Sequence, residues 1–188
     1  MKSVLTSIKP KWCELIASGK KTIEIRKTRP KCDAPFKCYI YCTKEFYRKG
    51  DGYFQGKYCG KVIGEFVCDK IDKIDVIDHE LMTYIQVNQK ADMFVTQETC
   101  LEIDGLQKYL NNKTGYGWHI SNLVIYDKPK DFTEFKKFNR ECWYADLGIA
   151  KRDCPECKNA ECFMQRPPQS WCYVEELKEC ADILTQTN

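Results

Sequence analysis

Apolar and polar positions alternate through VLTSI at 4–8, and the β-branched content of that run predicts a first strand. Pro10 then suits the first turn of a helix, Trp12, Leu15 and Ile16 mark one apolar helical face, and Gly19 suits its stop. From Lys21 the period changes from helical to extended. FKCYIYC at 36–42 reads as another strand, and the glycine-rich, aromatic KGDGYFQGKYCG at 49–60 as a loop or irregular hairpin. GKVIGEFVCDKI at 60–71 supplies a further strand pattern, with Gly64 marking a bulge or a close approach.

The middle of the chain reads as more helical. Thr99 with Glu102 three residues on fits a capping box, and Ile103, Leu106 and Leu110 fit the buried face of the helix it would open, although Gly105 disfavours it. YGWHISNLVIYD at 116–127 returns to strand patterning, DFTEFKKF at 131–138 predicts a short helix laid down by its aromatic face, and SWCYV at 170–174 predicts a late strand. No internal repeat, low-complexity tract or interdomain linker interrupts the pattern. Many short strands broken by helices predict a mixed α+β, barrel-like domain rather than a parallel sheet.

At 188 residues the chain is long enough for one substantial core, so a single domain over 1–188 is expected, with a cysteine-bearing insertion at about 140–166. No basic-then-apolar leader and no apolar run near the roughly 20 residues that cross a bilayer are found, so a cytoplasmic location without membrane contact is expected. Thirteen cysteines are an odd number, which cannot close into intramolecular disulfides alone; free thiols or metal ligation are the alternatives in a reducing compartment. The net charge of +3 hides an asymmetry. Residues 1–61 hold 15 Lys or Arg against 5 Asp or Glu, whereas the remainder holds 15 against 22. The first portion can attract phosphates, or it can pair in space with the acidic remainder.

The chemistry concentrates in GKKTIEIRK at 19–27. As a strand after a turn it places Thr22, Glu24 and Arg26 on one face and Ile23 and Ile25 on the other, so the isoleucines can enter a core while the polar trio lines a surface or cavity. Lys21 lies at the turn, where strand periodicity does not govern its direction. Lys or Arg here can hold phosphate, and Glu24 can accept donors from a base edge or orient Arg26; an ordinary solvated ion pair is the plain alternative. The spacing is not a GxxxxGK[ST] phosphate loop and gives no support for ATP chemistry.

GKKTIEIRK, WHISNLVIYDKP and RPPQSWCYVEE together resemble an ASCH domain, a branch of the PUA-like superfamily, over residue 4 to about 176, with 140–166 poorly accounted for. The resemblance implies a small β-barrel, or pseudobarrel, with surrounding helices, whose cleft is lined by a G-x-K-x-x-E-x-R motif, here Gly19, Lys21, Glu24 and Arg26. It also implies an RNA or nucleotide-like ligand, with no cofactor required for binding. The residues that it and the pattern nominate for ligand contact are Lys9, Trp12, Lys21, Thr22, Glu24, Arg26, Trp118, His119, Ser121 and Trp171. Each tryptophan can stack on a base or fill the interior. His119 can contact ligand or stabilise the fold, and Ser121 can supply a hydroxyl, with no Ser-His-Asp order evident.

The same superfamily includes small amidohydrolases acting on acylated cytidine, with a lysine, a threonine and a glutamate as active group and a local G-x-K-T-I-T-I-R pattern. This chain matches it at Gly19, Lys21, Thr22, Ile23, Ile25 and Arg26 but has Glu24 in place of the functional threonine. As an enzyme it would use Lys21, Glu24 and Glu65, with Lys21 as base and a glutamate as proton relay. A last element is CPECKNAEC, in which Cys154, Cys157 and Cys162 have spacing suited to structural zinc; the fourth ligand is open between Cys142, Cys172 and His119.

Overall fold

The first strand, β1 (Lys2–Ile8), is buried along nearly its whole length and sits inside a five-stranded sheet. The computed structural model describes residues 2–44, 46–49, 52–55, 58–80, 82–92, 94–138 and 163–177, with only the backbone of 46–49 and 52–55. After β1 the chain forms helix α1 (Pro10–Ala17), with Pro10 at its start, where a missing N–H costs nothing. Cys13 and Ile16 enter the core from its inner face. Gly19, at φ +72, ends the helix in a left-handed turn, and the amides of Lys20 and Lys21 both donate to the Leu15 carbonyl. That turn delivers the chain into β2 (Ile23–Arg26).

Strand β3 (Phe36–Cys42) returns parallel to β1. The hairpin β4 (Phe46–Lys49) and β5 (Gly52–Gln55) begins earlier than the glycine-rich run suggests. Strand β6 (Val62–Cys68) pairs antiparallel with β3, and here Gly64 is a close approach, as expected: a Cβ would stand 2.3 Å from the Val124 carbonyl oxygen. The middle is not simply helical. Strands β7 (Ile71–His79), β8 (Met82–Val87) and β9 (Lys90–Ala91) form a meander, in which β7 is unmarked in sequence because Ile71, Ile74 and Ile77 recur every third residue rather than alternating.

Two short helices follow, α2 (Val95–Thr99) and α3 (Ile103–Leu110). The apolar face of α3 is as expected, with Leu106 and Leu110 buried, but the capping box is not. Thr99 closes α2 and donates to the Val95 carbonyl, while Glu102 itself holds the N-cap position. The strand patterning expected at 116–127 is present as two strands, β10 (Gly115–His119) and β11 (Ser121–Lys130), with Asn122 at φ +47 beside the break. The helix expected at 131–138 shortens to one 3-10 turn, Phe132–Glu134, where Asp131 and Glu134 make a capping box. The last described strand is β12 (Trp171–Glu175).

The pairings give one mixed sheet, ordered β11-β6-β3-β1-β12, and one antiparallel sheet, ordered β2-β10-β7-β8-β9. The fold is therefore α+β with few helices. No ring of paired strands closes among the described residues, so the architecture seen is two sheets joined where β10 passes into β11. Between them lies a core of Val4, Ile8, Cys13, Ile16, Phe36, Ile40, Phe66 and Trp118. The far face of the mixed sheet is covered by Phe135 and Met164 over Tyr39 and Val174. On the other sheet, Ile23, Ile25, Ile74 and Ile85 pack under the helical segment with Val95, Leu106 and Leu110. No helix among the described residues is long and apolar enough to cross a membrane.

Candidate functional site

Because β2 buries Ile23 and Ile25 on one face, Glu24 and Arg26 turn to the other, toward the seam between the sheets. The register sets Trp118 opposite Glu24 and Tyr116 opposite Arg26. Lys21 joins them from the turn. Its ammonium lies 3.4 Å from Glu24 Oε2, while Arg26 Nη2 lies 3.1 Å from Glu24 Oε1, so one carboxylate is held between two cations. The side-chain exposures are 1% for Lys21, 8% for Glu24 and 7% for Arg26.

Each cation has backbone partners as well. Lys21 Nζ donates to the carbonyls of Ile23 (2.8 Å) and Thr99 (2.7 Å), which ties the turn to the end of α2. Arg26 Nη2 donates to the Ser7 carbonyl at 2.7 Å, and Nη1 reaches Ser170 Oγ and the Ser170 carbonyl, each at 3.5 Å. Arg26 Nε is buried without an acceptor. Burial pushes the Lys21 pKa below that of an ordinary lysine, and Glu24 only partly opposes this.

Aromatic rings frame the group. Lys21 Nζ lies 5.3 Å from the ring centre of Trp12, which is partly exposed. Trp171, also partly exposed, follows Ser170 directly and donates through Nε1 to Thr28 Oγ1 at 3.0 Å. Trp118 has the core role: it is 0% exposed and packs edge-on against Phe36 and Trp171, so it presents no face to a base.

The remaining candidates divide differently from the expectation. Thr22 does not share the Glu24 and Arg26 site; it precedes the strand, its side chain is exposed, and its backbone bonds to Glu98 and Ile120. Lys9 is exposed, and its carbonyl accepts the first amides of α1. His119 Nε2 lies 2.6 Å from the buried Asp72, which also takes Lys70 at 2.8 Å and Asn88 at 2.6 Å. Burial raises the Asp72 pKa, but these three partners outweigh it and the net direction is down. Ser121 donates to the Val67 carbonyl at 2.9 Å, a contact within the fold.

Glu65 is not brought to Lys21. It lies in register with Tyr39 on the far face of the mixed sheet, bonded to Tyr126 and 3.0 Å from Lys37, so the sheet separates it from Glu24. Cys142, Cys154, Cys157 and Cys162 lie outside the described residues. Cys172 is within them; burial pushes its thiol up to about 11, and its nearest recorded partner is Met164 Sδ at 4.0 Å. Among the described residues no group of three potential ligands stands ready for a metal.

Several neighbours carried no sequence signal. Ser7 and Thr99 contribute only carbonyls to the group, which any residue type supplies. Tyr109 lies within electrostatic reach of Arg26 and Glu24 yet looks like one more residue of α3. Ser170 falls in the RPPQSWCYVEE run and opens the SWCYV strand pattern, but neither marks it as a neighbour of Arg26.

The two-sheet α+β fold is one that comparison with known proteins assigns to a family. The ASCH domain family model matches residues 7–161, and the chain belongs to that family. ASCH domains are PUA-like domains associated with RNA binding. Among solved structures the chain is similar to ASCH from Zymomonas mobilis, at 17% identity and a TM-score of 0.54, over 93% of this chain and 88% of that one. A serine-to-alanine mutant of the same protein matches with the same identity and TM-score over 93% and 89%, and a tyrosine-to-phenylalanine mutant over 94% and 92%. This likeness is one of fold. No curated protein matches the chain.

Proposed function

We propose that this chain binds RNA or a nucleotide-derived ligand at the seam, where Lys21, Glu24 and Arg26 receive an anionic group. The observation that carries this reading is a buried imbalance: two cations share one carboxylate, and Arg26 Nε lacks an acceptor. A buried excess of positive charge is costly, and a phosphate oxygen beside Arg26 relieves both the charge and the unmet donor. Trp12 and Trp171 keep exposed surface at the rim, where a base can stack. Glu24 holds the two cations apart and fixes the guanidinium plane, and the basic first third of the chain draws the polyanion in. The association of ASCH domains with RNA binding supports the same reading. A PUA-like pseudobarrel cleft and a cytoplasmic location belong to it.

Fluorescence anisotropy with single-stranded and structured RNA across a salt series tests it, since phosphate contacts weaken as salt rises. Binding that falls with salt and is lost in Arg26→Gln is the expected result. No binding of RNA, DNA or nucleotides at low salt sinks the proposal.

A second reading is an amidohydrolase acting on an acylated cytidine or related modified nucleoside. One observation favours it: burial lowers the Lys21 pKa, enlarging the neutral fraction that a general base needs. In this reading Lys21 accepts a proton from water, Glu24 relays it toward the leaving amine, and the Arg26 guanidinium stabilises the oxyanion. Turnover of acylated cytidines that survives both Lys21→Ala and Glu24→Ala refutes it. Structural zinc at Cys154, Cys157 and Cys162 is a separate proposal resting on their spacing alone; metal analysis of reduced protein with no zinc bound would remove it.

A further inference from the structure

Directly after β2 the chain runs KTRPK at 27–31, a strap whose three cations are exposed while Pro30 is buried. Although its side chains face solvent, the strap is held from three elements. The Lys31 amide donates to the Tyr173 hydroxyl at 2.7 Å, and Trp171 Nε1 donates to Thr28 Oγ1 at 3.0 Å, both from β12. Lys27 Nζ stands 5.2 Å from the ring centre of Tyr109 on α3, and the Arg29 guanidinium 5.8 Å from that of Tyr116 on β10. An aromatic face orients a cation without cancelling its charge.

Some other lysines meet carboxylates, Lys61 with Asp131, Lys73 with Asp75, and Lys37 with Glu65 and Glu176, while Lys2, Lys11, Lys130 and Lys136 also stand over rings but are scattered along the chain rather than gathered within five residues. Among the described residues no carboxylate pairs with Lys27, Arg29 or Lys31. Asp33, the nearest in sequence, is exposed and makes no ion pair there. The strap is thus an ordered row of positive charge. It is also continuous with the seam, because Arg26 immediately precedes Lys27 and Tyr109 feels both Arg26 and Glu24.

We infer that the strap is a phosphate-binding subsite for the backbone of single-stranded RNA, extending the seam from one nucleotide to several. This rests on the nucleic-acid reading of the seam. Fixing the strap before binding removes part of the ordering cost that a mobile basic loop would pay on association. Each cation that meets a phosphate releases condensed counterions. A single strand is favoured over a duplex because the partly exposed ring of Trp171, hydrogen-bonded to Thr28 of the strap, can stack only on a base not already stacked in a helix.

The test compares a short single-stranded RNA oligonucleotide with cytidine monophosphate, on wild type, on Arg26→Gln and on the triple charge reversal Lys27→Glu, Arg29→Glu and Lys31→Glu. The reversal changes only exposed side chains, and an unchanged melting curve confirms that it folds. It is expected to weaken the oligonucleotide tenfold or more and to flatten its log–log salt dependence by about 2, leaving the mononucleotide unaffected, whereas Arg26→Gln weakens both probes. If the reversal binds the oligonucleotide with wild-type affinity and slope while Arg26→Gln does not, the strap inference is overturned and the seam reading stands. If neither probe binds wild type at low salt, both fall. Loss in the reversal of binding to anionic lipid vesicles alone, with RNA unaffected, also overturns it.

Discussion

The Arg26 guanidinium donates to the Ser7 carbonyl across 2.7 Å, so a residue of one sheet is hydrogen-bonded to the backbone of the other. The same guanidinium is 3.1 Å from Glu24 and reaches Ser170 next to β12. Removing it leaves Glu24 with Lys21 alone and the Ser7 carbonyl short of a donor. Arg26→Met, which keeps much of the side-chain volume, is expected to lower unfolding free energy by about 2 kcal/mol, because losing the charged hydrogen bonds to the Ser7 carbonyl and Glu24 outweighs the relief of the excess positive charge. Urea denaturation measures it. A midpoint at or above wild type would mean that the charge group costs the fold stability and is retained for its ligand.

Lys21 gives the fold a pH dependence of definite sign. Burial holds its folded pKa below the ordinary lysine value of 10.5, so between the two values the unfolded chain binds more protons than the folded one. Stability from this residue therefore rises with pH through that window, and below the folded pKa the desolvation cost is carried in full. Denaturation of wild type and Lys21→Met over alkaline pH isolates the effect from other titrating groups. The difference between the two is expected to shift in favour of wild type as pH approaches 10.5; a difference that is flat with pH would contradict it.

The site was legible in sequence to the extent that local spacing determined it. Alternation in β2 gave the direction of Glu24 and Arg26, and Gly19 gave the turn, but the turn's geometry brought Lys21 rather than Thr22 beside them. The separation of Glu65 from Lys21 depends on which face of which sheet β6 presents, a tertiary fact that no local window contains. Trp118 and Trp171 look alike in sequence; one is wholly buried and the other partly exposed because the first faces the interior from a central position of its sheet and the second begins an edge strand. Strand β7 carries no alternation signal because its isoleucines are spaced by three, and β9 is only two residues long. The helix start at Thr99 was misplaced because an apparent capping pair spans the join between α2 and α3.

Gly64 supplies a test of packing independent of the site. A Cβ there would stand 2.3 Å from the Val124 carbonyl oxygen and 3.1 Å from Ile125 Cα, so it meets backbone, which cannot rotate away. Gly64→Ala is expected to push β11 from β6 and cost about 2 kcal/mol or more, as overpacking does. Gly105→Ala is the control: its nearest contact is Leu101 Cδ2 at 3.8 Å, and a helical glycine replaced by alanine gains about 1 kcal/mol. Thermal melts in which Gly64→Ala matches wild type would show that the two strands are not seated as described.

Asp131 gives the fold a pH dependence of the same sign as Lys21, in acid rather than in alkali. Lys61 at 2.9 Å, then the amide and hydroxyl of Thr133, hold its carboxyl down to about 2. The unfolded value is 3.8, so the unfolded chain binds the extra proton between the two; the contribution is fully present above 3.8 and is lost as pH falls through about 2. The Asp131 side chain is 37% exposed, so solvent and salt screen Lys61, the largest cause of the shift, and the hydrogen bonds of the cap are expected to carry most of the stability that remains. Asp131→Ala is expected to cost about 1 kcal/mol near neutral pH, the usual value of an N-cap, with the gap to wild type narrowing in acid. Added salt should reduce that gap only slightly, because hydrogen bonds to Thr133 persist when Lys61 is screened. A gap that closes with salt at neutral pH would assign the effect to Lys61 and overturn the capping account.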